Sequence, residues 1–277
     1  MKQPTAGQSA QEYVSRYLRR RRALRIMRWA PLAAYVPLAY ASVFSTLPGW
    51  ALLVFLALFF LYLRAIRFLL AMQYSLKDLI LTRDCDGEKY LAVCTLLAPT
   101  IRRTTGMIAI DTAKALYFTG RFEAAYAALP RPAPAQAKAS VLLAYDNVLF
   151  NSALATGRLD QARQVRAHAA ALPAAKYKGM EKAAASLLDL MDAALAFEAG
   201  DYDAFRTKTQ AFLLTANTPL QKVSSSYRLA LADLKQGEWE NARARLTFAA
   251  QHGGTLFFAA QAEALLREGS ERHARIE

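Results

Sequence analysis

The stretch WAPLAAYVPLAYASVFSTLPGWALLVFLALFFLYL, residues 29–63, contains no charged side chain and is the most apolar run in the chain. As one continuous helix it would be about 52 Å long, whereas the hydrocarbon core of a bilayer is only about 30 Å thick. Pro48 and Gly49 interrupt the run. The sequence therefore predicts a transmembrane helical hairpin over residues 29–70, with spans at about 29–47 and 50–70.

Positive charge flanks this predicted hairpin on both sides. Residues 1–70 carry ten Lys and Arg and one acid, Glu12, and they hold most of the net charge of +13. Cytoplasmic flanks of membrane spans are rich in Lys and Arg, so we expect both termini in the cytoplasm and residues 1–28 as a basic interfacial arm. This position favours anionic lipid headgroups over nucleic acid as the partner. The arginines expected at the membrane surface are Arg16, Arg19, Arg20, Arg21, Arg22, Arg25, Arg28, Arg64 and Arg67.

A cleaved signal peptide is the alternative interpretation of the N-terminal region. Ala39-Tyr40-Ala41 is a small-residue pattern that follows a basic region and an apolar run. The prolines within that run fit a signal peptide poorly. Even with cleavage, the second predicted span would stop transfer, and residues 71–277 would stay in the cytoplasm.

Similar sequences follow successive glycines in residues 71–277. They read GRFEAA from Gly120, GRLDQA from Gly157, GDYDAF from Gly200 and GEWENA from Gly237. An apolar helical pattern precedes each glycine, and glycine ends a helix readily because it accepts a left-handed conformation. An acid in the first turn of the next helix suits the helix dipole. The pattern predicts an all-α arrangement of antiparallel helix pairs.

This repeated turn resembles that of the tetratricopeptide repeat, approximately G-x-Y-x-x-A. The resemblance covers about residues 75–267 and implies an α-solenoid whose last helix, Leu256 to Leu266, caps the array. It is weakest at Gly87, where a true repeat stays an open question. The residues expected to build the repeats are Gly120, Phe122, Ala125, Gly157, Leu159, Ala162, Gly200, Tyr202, Gly237, Trp239 and Ala242.

The resemblance also implies a concave groove that binds short peptides or partner helices. Projecting the groove positions of the family onto this chain gives Lys114, Asn147, Asn151 and Tyr227. Asn147 and Asn151 are four residues apart and therefore share one helix face. Two amides in a groove suit a peptide backbone, although ordinary polar positions on a helix would give the same pattern.

The sequence contains no pattern that is typical of a catalytic or metal site. His168, His252 and His273 lie in no metal-ligand cluster, and Cys85 and Cys94 have no paired spacing. No Gly-rich phosphate loop or nucleophile elbow occurs. We therefore expect no metal, no cofactor and no enzymatic activity.

These observations predict a membrane-anchored scaffold or adaptor whose cytoplasmic repeats bind a protein or peptide partner. One alternative is an accessory subunit of a membrane complex, in which the hairpin is the main interface. A lesser alternative is an enzyme whose site the sequence does not reveal. The high Ala and Arg content and the short basic N-terminus favour a bacterial inner-membrane protein.

Overall fold

A computed structural model of the protein describes residues 7–27, 29, 33, 40, 49–100, 105–131 and 138–274. Within these ranges the chain forms helices and turns and contains no strand. The chain divides into two compact units, residues 1–79 and 80–277.

The first unit contains two long helices, α1 (Ala10–Met27) and α2 (Gly49–Ser75). A capping box starts α1, since the Ser9 hydroxyl accepts from the Glu12 amide at 3.2 Å and the Glu12 carboxylate accepts from the Ser9 amide at 3.0 Å. The two helices pack together. At the far end of α1 the Tyr62 hydroxyl donates to the Met27 carbonyl at 2.7 Å. The arginine-rich α1 therefore contacts the second half of α2.

One stretch of the described residues, Leu56–Thr82, is long and apolar enough to cross a membrane. It begins inside α2, whose large apolar side chains are mostly exposed, Leu53, Phe60 and Phe68 among them. The first predicted span, residues 29–47, lies outside the described residues apart from Trp29, Ala33 and Tyr40. The described residues thus contain one candidate span, and the second half of the predicted hairpin falls on α2.

The second unit is a succession of helices, each of which packs on the next along the chain. Contacts between α5 and α7, between α7 and α9, and between α11 and α13 join alternate helices. A short helix, α3 (Asp78–Thr82), leads into the unit from the end of the first. The following helices are α4 (Gly87–Leu97), α5 (Thr105–Phe118), α6 (Phe122–Ala128), α7 (Ala139–Ala155), α8 (Leu159–Ala171), α9 (Glu181–Glu198), α10 (Tyr202–Thr215), α11 (Pro219–Lys235), α12 (Trp239–His252) and α13 (Phe257–Ala274).

Four of the turns between these helices share one geometry. Gly120, Gly157, Gly200 and Gly237 have φ angles of 80°, 73°, 81° and 77°. In each turn the amide after the glycine donates to the carbonyl five residues earlier; from Arg121 to Leu116 the distance is 2.8 Å. This bond is the Schellman motif that closes a helix on a left-handed residue. It reverses the chain, so that α6, α8, α10 and α12 each begin two residues after their glycine.

Small side chains let the paired helices approach closely. Ala125, Ala162 and Ala242, each five residues after a turn glycine, are all 0% exposed. The corresponding residue after Gly200 is Phe205, which is also buried. The turn residue Trp239 packs against Gly269 of α13, where an added Cβ would overlap the indole ring.

The turn at Gly87 differs from the other four. Gly87 is the first residue of α4, and Asp86 caps that helix by accepting from the Lys89 amide at 3.0 Å. Cys85 takes the positive φ, 52°, in place of a glycine. The weak sequence match at Gly87 therefore corresponds to a different turn geometry.

The segment that leads into α13 contacts the first turns of the unit. The Thr255 amide donates to the Cys85 carbonyl at 3.2 Å, and the Thr255 hydroxyl donates to the Asp86 carboxylate at 2.9 Å. The rings of Phe257 and Phe122 meet edge to face with centroids 5.0 Å apart. The last helix thus contacts both its neighbour α12 and the beginning of the unit.

Substitutions at two turn glycines separate backbone strain from steric overlap. A Cβ at Gly237 meets nothing within 4 Å, whereas a Cβ at Gly120 lies 3.3 Å from Phe257. We expect Gly237→Ala to lower the free energy of unfolding by about 1–2 kcal/mol through left-handed strain alone, and Gly120→Ala to lower it further. Thermal unfolding followed by circular dichroism measures both. Gly237→Asn is the control, because Asn tolerates this conformation better than Ala; equal stability of the Ala and Asn variants would contradict the argument.

Candidate functional site

A pocket of about 280 Å³ lies among the helices of the second unit. The C-terminal parts of α5, α7, α9 and α11 form its walls, together with the beginnings of α6 and α13. Because each turn glycine follows one of those four helices, the pocket lies at the turn end of the helix pairs. Phe205, at the beginning of α10, also lines it. Half of the lining residues are aromatic: Tyr117, Phe122, Phe197, Phe205, Tyr227, Phe257 and Phe258.

Three of the four groove residues expected from the sequence lie around this pocket or beside it. Tyr227 of α11 lines it and is 7% exposed. Asn151 of α7 also lines it, and Asn147 lines the adjoining cavity described below. The Asn151 amide donates to the side-chain and main-chain oxygens of Asn147, both at 2.7 Å. The two asparagine side chains therefore hydrogen-bond to each other as well as lining the cavities.

Lys114 does not join the other three residues. It lines neither cavity, and its ammonium group lies 5.7 Å from the ring centroid of Tyr90 on α4. Lys114 lies on α5 three residues before Tyr117, which does line the pocket. The packing of α4 on α5 brings Lys114 to Tyr90 instead.

Arg228 is a candidate site residue that the sequence analysis missed. It follows Tyr227 on α11, lines the pocket and is half-buried. Its Nη2 donates to the Asn151 side-chain oxygen at 2.7 Å and lies 3.4 Å from the Tyr117 hydroxyl. Both partners are neutral, and no carboxylate of the described residues forms an ion pair with Arg228. The signal for Arg228 in the sequence was a single charged residue within the apolar helical segment YRLAL, residues 227–231.

A second cavity of about 170 Å³ adjoins the pocket. The two share Tyr117, Asn151, Arg228 and Phe258, so Arg228 stands at their border. The second cavity has more hydroxyl and amide groups. One of them, the Thr209 hydroxyl, is buried without a hydrogen-bond partner in the described part of the chain.

Burial keeps the phenol of Tyr227 and the thiol of Cys85 in their neutral forms. It raises the pKa of Tyr227 to about 12, so the phenol is protonated at neutral pH. Burial, assisted by Asp84, also raises the pKa of Cys85 to about 11. Both cysteines are 2% exposed. Within the described residues no group of three His, Cys, Asp or Glu side chains is placed to hold a metal ion.

The arginines expected at the membrane surface lie on the two helices of the first unit. Arg16, Arg19 and Arg20 are exposed on α1, as are Arg22 and Arg25, whereas Arg21 is half-buried. Arg64 and Arg67 are exposed on α2, and Arg28 lies outside the described residues. The exposed guanidinium groups of α1 are open to anions.

No family model, curated protein or solved structure matches the chain. The resemblance to the tetratricopeptide repeat therefore stays a prediction from the turn sequences.

The opposite face of α7 carries a buried carboxylate. Asp146 is 2% exposed, and its Oδ2 has no hydrogen-bond partner in the described ranges. Burial raises the pKa of Asp146 to about 6, and the charge of His168 opposes the rise. The unfolded carboxyl ionises near 3.8, so between that pH and about 6 the native state binds the extra proton.

We expect Asp146 to make the protein less stable as the pH rises from about 4 to about 6, by on the order of 2–3 kcal/mol. Asp146→Asn removes this loss because the amide does not ionise, and above pH 6 the variant is the more stable protein. Thermal unfolding across this pH range measures the difference between the two. Asp203→Asn, at an exposed first-turn position of α10, is the control and keeps the wild-type slope. An unchanged slope in Asp146→Asn would contradict the expected pKa.

Proposed function

We propose that the protein is a membrane-anchored scaffold or adaptor whose second unit binds a protein or peptide partner through the pocket. The observation that carries this proposal is the aromatic pocket with Arg228 and Asn151 at one edge. Pockets that are mostly apolar and hold a few convergent polar groups are the usual form of binding sites. The absence of a recognisable catalytic constellation from the sequence favours binding over catalysis.

The repeated turns support a solenoid of tetratricopeptide-like helix pairs as the binding unit. In such arrays each pair contacts mainly its neighbours, and the inner helices form the binding surface. The sequential contacts in the second unit fit this architecture, and the pocket is lined by alternate helices, α5, α7, α9 and α11. The contact of Thr255 with Cys85 brings the last helix to the first turns, so the binding surface is a pocket rather than a long open groove.

The membrane anchor rests on the exposed apolar surface of α2 and on the charge that flanks it. Arg64 and Arg67 follow an uncharged stretch, residues 49–63, whose helical length is about 22 Å, less than the hydrocarbon thickness of about 30 Å. Long arginine stems reach the interface from such depths. We propose a bacterial inner-membrane hairpin with both ends in the cytoplasm, as the charge distribution favours.

An accessory subunit of a membrane complex is the second candidate function. Its specific support is the set of apolar side chains that α2 leaves exposed, of which Leu53 and Phe68 are 68% and 67% exposed. Lipid or a second membrane protein would cover such a surface equally well. The two candidate functions differ in whether the partner binds the first unit or the second.

Thiol labelling tests the proposed topology. The natural cysteines are buried, and the raised pKa of Cys85 makes it slow to react, so new cysteines are needed at Ser45 and at the exposed Gln210 of α10. In intact bacterial cells a membrane-impermeant maleimide should label Ser45→Cys and not Gln210→Cys. Inverted vesicles should show the reverse. Labelling of Gln210→Cys in intact cells would place the second unit outside the cytoplasm, and the unsubstituted protein controls for Cys85 and Cys94.

Site-specific photo-crosslinking tests partner binding. A photoreactive phenylalanine analogue at Ala155, which is exposed and lines the pocket, should give one discrete adduct in cells. The same analogue at the exposed Ala211 of α10, which lines neither cavity, should give none. Mass spectrometry of the adduct identifies the partner and the crosslinked segment.

Replacing residues 29–70 with an unrelated two-span hairpin separates the two candidate functions. The Ala155 adduct survives this replacement if the pocket holds the partner. It disappears if the hairpin is the main interface. Equal adducts from Ala155 and Ala211 would contradict a specific site at the pocket.

A further inference from the structure

Arg228 stands apart from the other half-buried arginines of the second unit. Within the described residues, each of the other five forms an ion pair with a carboxylate 2.6–2.9 Å away. Those pairs are Arg83–Asp84, Arg158–Glu123, Arg166–Asp192, Arg206–Asp233 and Arg245–Asp233. Arg228 has two neutral partners instead. The half-buried guanidinium of Arg228 thus has no carboxylate partner among the described residues. The pocket beside it has room for an anion.

The guanidinium of Arg228 has N–H donors that its two hydrogen bonds do not use. Arginine carries five N–H groups in a rigid fork that matches the two oxygens of a carboxylate. The hydrogen bonds of Arg228 to Asn151 and Tyr117 both use Nη2. The N–H groups on Nη1 and Nε remain available to an anion, each as a single charged donor, because both two-point pairings of a guanidinium with a carboxylate use Nη2. The Asn151 contact fixes the orientation of the fork, which reduces the entropy lost when an anion binds.

The remaining walls suit an apolar body, such as a partner's side chain or a free ligand, rather than a buried stretch of peptide backbone. The rings of Phe197 and Phe205 meet at 5.1 Å, and those of Tyr227 and Phe258 at 5.3 Å, so packed aromatic pairs form part of the walls. A peptide would bring a backbone donor and acceptor with every residue, and each needs a partner when buried. The polar groups of this pocket are few and include Asn151 and Arg228 at one edge. A ligand with one polar end and a hydrocarbon body satisfies this arrangement.

The charge near the pocket and the volume of the pocket restrict the class of ligand further. The exposed Glu198 also lines the pocket, and its negative charge disfavours a dianion such as phosphate more than a single carboxylate. The volume of about 280 Å³ is just below the range that holds drug-sized molecules, about 300–1,000 Å³. A short aryl or alkyl chain with one carboxylate meets both limits.

We infer that the pocket binds a small apolar carboxylic acid, whose carboxylate accepts a charge-assisted hydrogen bond from a free N–H group of Arg228 and whose hydrocarbon body lies against the aromatic walls. This inference rests on the proposed function, since it names the chemistry that the same pocket selects. A free acid in the pocket occupies the surface that the partner would use and therefore competes with the partner by mass action.

Calorimetric titration of three probes with one body and different ends tests the inference. The full chain is held in nanodiscs of zwitterionic phospholipid, and empty nanodiscs give the correction for partitioning. We expect 4-phenylbutyrate to bind at one saturable site, 4-phenylbutan-1-ol to bind at least about tenfold more weakly, and 4-phenylbutylamine not to bind. Equal affinities for the acid and the alcohol would overturn the inference.

Variants of Arg228 connect the binding to this residue. Arg228→Gln should weaken 4-phenylbutyrate by about tenfold or more and leave the alcohol unchanged. Arg228→Lys keeps the positive charge but replaces the planar guanidinium, so it should retain part of the affinity for 4-phenylbutyrate. This variant tests the inference if Arg228→Gln does not fold. Arg267→Gln, at an exposed position of α13, is the matched control and should bind the acid as the wild type does. Unchanged binding by folded Arg228 variants would overturn the inference.

The crosslinking experiment keeps this inference separate from the proposed function. If none of the probes binds while the Ala155 adduct forms, the acid site is wrong and the partner site stands. If the acid binds and no Ala155 adduct forms, the pocket is a small-molecule site and the adaptor function is wrong. Suppression of the adduct by 4-phenylbutyrate, and not by the alcohol, supports both.

Discussion

The hydrogen bond that closes each helix on a left-handed glycine is the constraint on which the second unit depends. The amides of Arg121, Arg158, Asp201 and Glu238 each donate to a carbonyl five residues earlier, at 2.8–2.9 Å. This bond satisfies a carbonyl that the end of the helix would leave unpaired. It also reverses the chain within two residues. Each pair of helices is therefore fixed locally, and the buried alanines at Ala125, Ala162 and Ala242 set how closely the pair can approach.

The position of the pocket follows from these reversals. Because α5, α7, α9 and α11 all end at a turn glycine, their last turns gather at the same end of the unit. The contacts of Thr255 with Cys85 and of Phe257 with Phe122 then bring the start of α13 to that end. Aromatic side chains from six helices meet there without filling the space between them. What remains is a pocket with one oriented cation.

Charge has different roles in the two units. In the second unit, arginines hold neighbouring helices together: Arg206 bridges Asp233 of α11 and Glu238, and Asp233 also binds Arg245 of α12. Removing one partner from such a buried network leaves another charge uncompensated, which is the costly part of these contacts. In the first unit the arginines of α1 are mostly exposed, where they are available to anionic headgroups. Arg228 belongs to neither group.

The sequence by itself determined the helical class, the turn positions and the apolar character of α2. These are local properties: left-handed glycines, first-turn acids and a long uncharged run act on residues within a few positions of themselves. The turn sequences also indicated Asn147, Asn151 and Tyr227, because positions counted back from a turn glycine keep their helix face. The same counting put Lys114 with them, whereas the packing of α4 brings it to Tyr90. The different turn at Cys85 was only a weak match in the sequence.

Tertiary structure alone decided that Arg228 has no carboxylate partner among the described residues and that it lies against Asn151, which is far away in the sequence. It also decided that Phe257 and Phe258, which the sequence assigned to a cap, complete the pocket wall. Whether a cation is paired depends on which side chains several helices bring to one point. Such long-range placement results from the sum of all the helix contacts, and no single stretch of sequence encodes it.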